Sequence, residues 1–317
     1  MNPDVFAEWQ RLQGYRVIKT DSSYWVESGP RIYQAFPYHW IINPSAMELD
    51  ELLRNFKAIG LRYSTEINAS EGMVSYHIEI EDRDYSLEKL PKKARHDVCK
   101  GIKQFAVERI PFAQLVKEGW ELRAETLVRQ GRHGAENREW WENLCSSANE
   151  LPGFEAWAAV RKDRLAATLI SFKCDDCISI LYQQSRSEDL SLGVNNLLTF
   201  VFTQNLLSSD HSSRIFYGLH SLDAPASVDK FKVRMGYTVK PVRQRVLFHP
   251  WLSPLINRYS YHAFRGVVNL LPNRPILAKT EGMVRFYLEG KLPIENQPLQ
   301  TLLAEQREEI LQRENSS

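Results

Sequence analysis

Two stretches in which strand and helix patterns alternate, followed by a helical end, predict a mixed α/β fold. The expected architecture is a mostly antiparallel sheet flanked by helices, in two tandem units with a C-terminal helical extension. Three observations carry this. Val74, Tyr76, Ile78 and Ile80 alternate with polar neighbours, as in a half-buried strand. Two apolar runs, 165–172 and 178–182, flank Cys174-Asp-Asp-Cys177, which has the composition of a hairpin turn. The run from Tyr217 to Tyr237 reads as a strand end, a polar loop, a short helix closed by Gly236 and a new strand.

The elements follow in order. Asn2-Pro3 with Val5, Phe6, Trp9 and Leu12 predicts a capped amphipathic helix ending before Gly14. Short strands are expected at 24–27 and 31–36. Leu49, Leu52, Leu53, Phe56 and Ile59 trace a helix that stops at Gly60. Strands are expected at 61–67 and 73–80. Seven basic residues between 89 and 109 (Lys89, Lys92, Lys93, Arg95, Lys100, Lys103, Arg109) stand against Asp97 and Glu108, a local excess of +5. This reads as a solvated connecting helix or as a surface for an anionic ligand. From Pro111 a second unit begins, with a helix at 136–148 and strands at 155–161, 165–172 and 178–183. An apolar helix follows Gly193, then a strand at 214–218, a helix in which Val228, Phe231 and Met235 share one side, and a strand at 237–248. The implied organisation is an N-terminal unit 1–88, a basic connector 89–110, a second unit 111–249 and a helical extension 250–317. In that extension Trp251, Leu252, Leu255, Ile256 and Tyr259, then Phe264, Val267, Val268 and Leu271, form an amphipathic surface. Arg258, His262 and Arg265 interrupt it, which favours packing on the body over bilayer contact. The tail after Pro298 is expected to be a peripheral, frayed helix.

Composition narrows the function. Apolar content of 43% and charged content of 25% are those of a soluble globular protein, and a net charge of +1 provides no global attraction to DNA or anionic lipid. No run is long and apolar enough to span a membrane, and the N-terminus has no signal-peptide pattern, so a cytoplasmic location is expected. One C-x-x-C without a second pair or a histidine pair lacks the ligands for zinc, and no metal is expected. Walker-type loops, G-x-G-x-x-G, H-E-x-x-H and G-x-S-x-G are absent from the sequence.

The order over 178–237 is strand, glycine turn, apolar helix, strand, polar loop, Lys-bearing helix. It resembles the GCN5-related N-acyltransferase (GNAT) fold, and within it the FemAB-like branch of acyl and aminoacyl transferases. Leu90-Pro-Lys-Lys-Ala-Arg-His-Asp-Val-Cys-Lys-Gly-Ile-Lys is similar to that branch's basic connecting helix. Phe231-Lys232-Val-Arg-Met-Gly236-Tyr237 is similar to its Phe-Lys, Gly-aromatic ending.

The resemblance implies an acyltransferase. It would move an acyl or aminoacyl group from acetyl-CoA, another acyl-CoA or a charged tRNA to an amine or hydroxyl of a small molecule or cell-envelope precursor. Two strands of such a fold part beside a helix N-terminus that takes a pyrophosphate. Here that place falls on Leu192, Gly193, Val194, Asn195 and Asn196. Only Gly193 follows the family's pattern, and Asn195 stands where a second small residue is expected, which leaves the donor open. For the chemistry, His220 is a candidate base or a solvated loop residue, and Tyr182 a candidate proton donor or a packing residue. Asp223 positions an acceptor amine or caps the helix near Ser227. Tyr217, Ser221, Lys230 and Lys232 are candidates for the acceptor. The rival readings are a non-catalytic binding protein that kept the fold, and an RNA-contacting protein using its two basic stretches.

Overall fold

The computed structural model describes residues 2–132, 136–208, 214–222, 226–271 and 275–314. The chain opens with α1 (Pro3–Leu12), where the Asn2 side chain accepts from the Asp4 amide at 2.9 Å. Strands β1 (Val17–Lys19), β2 (Tyr24–Gly29) and β3 (Ile32–Phe36) follow. Helix α2 (Ala46–Arg54) starts at Ser45, whose hydroxyl accepts from the Glu48 amide at 3.2 Å. It ends before the expected stop at Gly60. Lys57 takes a left-handed φ of 56°, and Phe56 continues the apolar spacing only because the turn also packs on the core. Strands β4 (Gly60–Thr65) and β5 (Met73–Ile80) are buried along their whole length. The alternation in β5 therefore marks polar residues with buried partners rather than a solvated face. His77 Nε2 lies 2.9 Å from Ser64 Oγ, and Glu79 pairs with Arg214 at 3.6 Å.

Helix α3 (Lys92–Ile102) takes up only part of the basic stretch, and Arg109 falls in strand β6 (Ala106–Ile110). Next comes α4 (Phe112–Arg129), which the sequence reading does not foresee. Its buried positions Phe112, Leu115, Gly119, Leu122 and Thr126 keep helical spacing, but Gly119 disguises it. A Cβ there would sit 2.9 Å from the Trp141 ring, so only glycine lets that indole in. Then follow α5 (Arg138–Asn149), β7 (Phe154–Arg161), β8 (Arg164–Cys174) and β9 (Cys177–Ser185). Cys174 faces Cys177 across the expected two-residue turn, with Asp175 at φ 54°, and all four cysteines are free. The remaining elements are α6 (Val194–Leu207), β10 (Arg214–Leu219), α7 (Ala226–Arg234), β11 (Thr238–Phe248), α8 (Arg258–Leu270), α9 (Pro275–Glu289) and α10 (Arg307–Glu314).

The chain forms two compact units, each built from separated segments. The first comprises Met1–Gln13, Ile78–Gly218 and Pro225–Thr238; the second comprises Gly14–His77, Leu219–Ala224 and Val239–Ser317. These divisions differ from the contiguous ones expected at 88, 110 and 249. The physical reason is visible at α1. Phe6 and Trp9 join Phe154 and Phe172 in an aromatic cluster, with Trp9 4.9 Å from Phe154 and its indole donating to the Leu144 carbonyl at 3.1 Å. The N-terminal helix thus belongs to the core of the later unit.

Within the first unit the strands run β10-β9-β8-β7-β6. The β10–β9 pair is parallel and the other three pairs are antiparallel. Within the second unit the order is β1-β2-β3-β4-β11, with β3–β4 parallel and the rest antiparallel. The fold is therefore the mixed, mostly antiparallel α/β class.

The second unit has a core around Trp25, Tyr33, Leu52 and Leu61, and another around Met73, Phe248, Met283 and Phe286. Of two expectations for its end, one is overturned and the other holds in part. The tail is docked: Leu303 and Ile310 are buried, and Gln297 accepts from the Val74 amide at 2.8 Å while donating to the Gly72 carbonyl at 3.2 Å. Segment 251–271 packs only part of its apolar surface: Leu252 and Ile256 lie on the core, and of α8 only Tyr261 is fully buried.

Burial pushes the thiols of Cys174 and Cys177 and the phenol of Tyr38 up to about 12. These groups ionise at lower pH once unfolded, so their contribution is complete below their ordinary range and is lost as pH rises toward 12. Chemical denaturation at about pH 8, 10 and 11 should give a steadily falling unfolding free energy. A flat alkaline limb would contradict this.

Candidate functional site

The first unit contains a place where two parallel strands part. β10 pairs with β9 at Arg214–Cys177, Ile215–Ile178 and Phe216–Ser179, and the paired register stops there although both strands continue. β9 stays on β8 as far as Ser185, but with a bulge: Ile170 faces Tyr182 and Ser171 faces Ile180, leaving Leu181 as an extra residue. A bulge bends and twists its strand, which turns β9 away from β10 at this point. Leu181, Tyr182 and Gln183 are half-buried between fully buried neighbours, and β10 is half-buried from Tyr217 to its end. The parting is therefore not sealed from solvent.

Polar side chains bridge its inner end. Tyr217 donates its phenol to Gln183 Oε1, and Gln183 Nε2 donates to Thr199 Oγ1 on α6 at 3.2 Å. One turn along α6, Thr203 Oγ1 meets the Tyr237 hydroxyl at 2.7 Å. The Tyr217 and Tyr237 rings stand edge-to-face with centroids 4.9 Å apart. Burial raises both phenols well above their ordinary range. Lys232 Nζ lies 5.3 Å from the Tyr217 ring and is paired with Asp229 at 2.8 Å, both largely shielded from water. It lines the opening as half of an ion pair, while Lys230 is exposed.

Tyr182 faces the other way. Its ring packs edge-on to Trp140 and lies 5.1 Å from the Arg123 guanidinium, which is itself paired with Glu136. Neighbouring residues on a strand point to opposite sheet faces, so Tyr182 and Gln183 do not converge.

The glycine turn serves packing. Gly193 is buried at φ 79°, and a Cβ there would lie 2.2 Å from the Asp97 carbonyl oxygen of α3. Gly101 of α3 answers it, since a Cβ at that position would meet the Gly193 carbonyl at 3.0 Å. Lys100 Nζ donates to the Ser191 carbonyl at 2.7 Å. Leu192 is half-buried and Val194 fully buried. Asn195 donates to Ser185 Oγ at 3.1 Å, and Asn196 to Met235 Sδ at 3.4 Å. The basic helix thus lies across the α6 N-terminus expected to receive a pyrophosphate.

In the second unit, the His220 amide donates to the Tyr76 carbonyl at 3.0 Å, and its imidazole sits between the rings of Tyr76 (4.8 Å) and Phe286 (5.7 Å). Its carbonyl accepts from Arg62 at 2.9 Å. Arg62 also donates to Gln244 Oε1 at 2.8 Å, and it floors a cleft of about 290 Å³ that includes Gln34, Ser221, Lys279 and Thr280. Asp223 lies outside the described residues. No cluster of His, Cys, Asp or Glu able to hold a metal occurs among the described residues.

The sequence reading missed Gln183, Thr199, Tyr237 and Arg62. A signal existed for one of these groups: Thr199 and Thr203 stand at i and i+4 among the apolar residues Leu197, Leu198, Phe200, Val201 and Phe202, and both are fully buried.

Comparison with known proteins defines the fold. No protein-family model matches the sequence, and no curated protein matches it significantly. Solved structures do. FemX aligns with a TM-score of 0.54 at 12% identity, over 78% of this chain and 92% of that one. A conserved protein of unknown function from Bacteroides thetaiotaomicron aligns with 0.51 at 13% identity, over 78% and 91%. The C-terminal domain of a putative lysylphosphatidylglycerol synthetase from Agrobacterium fabrum aligns with 0.50 at 11% identity, over 76% and 86%. The chain shares its fold with these structures, FemX and the synthetase domain among them.

Gly193→Ala should cost about 2–3 kcal/mol, from the positive φ and the clash with a backbone carbonyl together. Urea denaturation measures it; a loss below about 0.5 kcal/mol would show that α3 does not press on this turn.

Proposed function

We propose that the protein is a transferase that moves an aminoacyl or other acyl group from a carrier to an amine or hydroxyl, with a charged tRNA as the carrier. The parting of β9 and β10 beyond Phe216–Ser179 carries this reading. It opens a strand edge able to bind an extended acyl donor in a fold like that of FemX and of the lysylphosphatidylglycerol synthetase domain. The choice of carrier is supported by Gly193: with α3 against that turn, a coenzyme A pyrophosphate lacks the exposed helix N-terminus it would use.

The chemistry asks little of the protein. The acceptor's nitrogen or oxygen attacks the ester carbonyl, its proton leaves, the new amide or ester bond forms, and the carrier oxygen departs and takes a proton. Tyr217, placed beside the opening by Gln183, would turn its hydroxyl from Gln183 Oε1 to the developing oxyanion or leaving oxygen. Gln183 and Thr199 act as positioning residues. We keep His220 as the candidate base and Ser221 as a candidate contact for the acceptor.

The bridged inner end of the opening favours one other reading, a binding protein that kept the fold without turnover. Labelled aminoacyl-tRNA and labelled acetyl-CoA, each incubated with the protein and a cell extract, separate the cases. Incorporation from the tRNA alone is expected, and Tyr217→Phe should lower kcat about 100-fold with little change in KM. Incorporation from acetyl-CoA would overturn the choice of carrier. Absence of transfer from both would leave the binding-protein reading.

A further inference from the structure

Segment 251–276 of the second unit departs from the rest of the surface in two independent ways. The first is exposed apolar area. Of twelve large apolar side chains left exposed among the described residues, seven lie here: Trp251, Leu255, Tyr259, Val267, Leu270, Leu271 and Ile276. Helix α8 explains how. Tyr261, Phe264 and Val268, at i, i+3 and i+7, turn inward and are buried or half-buried. Tyr259, Ala263, Val267 and Leu270, at i, i+4, i+8 and i+11, line the opposite side, with Tyr259 89% and Leu270 81% exposed. The helix is thus apolar on two opposed faces and the protein covers one. In the turn before it, Leu252 and Ile256 pack towards the Phe286 cluster, while Trp251 and Leu255 stay 58% and 62% exposed.

The second departure is charge. The chain carries 39 Asp and Glu in 317 residues, yet there is none from Pro250 to Thr280. An even distribution would put about four there. Arg258, His262 and Arg265 form a third stripe on α8, flanking the exposed apolar face, and Lys279 follows on α9.

We propose that this segment docks the protein on an anionic lipid surface, with α8 lying in the plane of the interface. Its uncovered apolar face would enter the headgroup region, and Arg258, Arg265 and Lys279 would meet lipid phosphates. Trp251 and Tyr259 have the amphipathic rings that settle at that depth. Charge selects this occupant over a second copy of the chain. A self-complementary contact would bring the same cations together with no carboxylate in the segment to pair them. The mode is peripheral: α8 has 13 residues, and no helix among the described residues is long and apolar enough to cross a membrane. The proposal does not depend on the transfer reaction.

Cosedimentation of the full chain tests it, with vesicles of phosphatidylcholine alone and with about one third phosphatidylglycerol. Binding to the anionic vesicles should exceed binding to the neutral ones at least about tenfold. Val267→Asp with Leu270→Asp, and separately Arg258→Glu with Arg265→Glu, should each reduce it at least about tenfold with an unchanged melting temperature. The proposal is overturned by failure of the wild type to bind anionic vesicles at low salt, or by unchanged binding of the double-aspartate variant. It is equally overturned if the wild type is a dimer that this variant converts to a monomer, or if single-stranded RNA binds and the vesicles do not.

Discussion

Helices α3 and α6 approach within backbone contact where Gly101 meets Gly193, and the arrangement of the first unit follows from that crossing. A side chain at either glycine would drive the helices apart. With α6 fixed, Thr199 and Thr203 arrive at the depth where Gln183 and Tyr237 need partners. Gln183 in turn orients Tyr217 at the inner end of the strand opening. A backbone contact at one end of α6 thereby sets the direction of a phenol on β10. Each step is a hydrogen bond or a van der Waals limit, so little slack accumulates along it.

The second unit uses buried guanidinium groups for the same purpose. Arg243 is almost wholly buried and donates to the carbonyls of Ile67 at 2.9 Å and Gly72 at 3.2 Å, bracketing the loop between β4 and β5. Arg62 holds the His220 carbonyl and Gln244 while its face lies 5.8 Å from the Phe286 ring. Such groups tie irregular chain to the sheet because one planar cation can serve several acceptors at once. The imidazole of His220 is consequently set in place by its own backbone and by two aromatic walls.

Much of the element order was legible because it rests on local signals. The caps at Asn2 and Ser45, the Cys174-Asp-Asp-Cys177 turn and Gly236 with its φ of 89° are written in a few adjacent residues. What escaped depends on partners far along the chain. Gly119 looks like a helix breaker until Trp141 is seen against it. Gly193 looks like a phosphate turn until Asp97 is seen above it. Ser75, His77 and Glu79 look solvent-facing until β5 is found covered on both sides. For the site, residue types near Tyr217 could be named from sequence. The sorting of Tyr182 and Gln183 onto opposite faces depends on strand pleating and on a bulge that no short pattern announces.

The aromatic cluster that seats α1 bears on how the nascent chain matures. Phe6 and Trp9 are translated well over a hundred residues before their partners Leu144, Phe154 and Phe172. Until then the leading helix has no hydrophobic seat and must wait in solution while residues 14–77 are made. The last segment of the same unit, through Thr238, arrives later still. Assembly of that unit is therefore a late event in synthesis, with an early helix recruited back to a sheet that did not exist when it was translated.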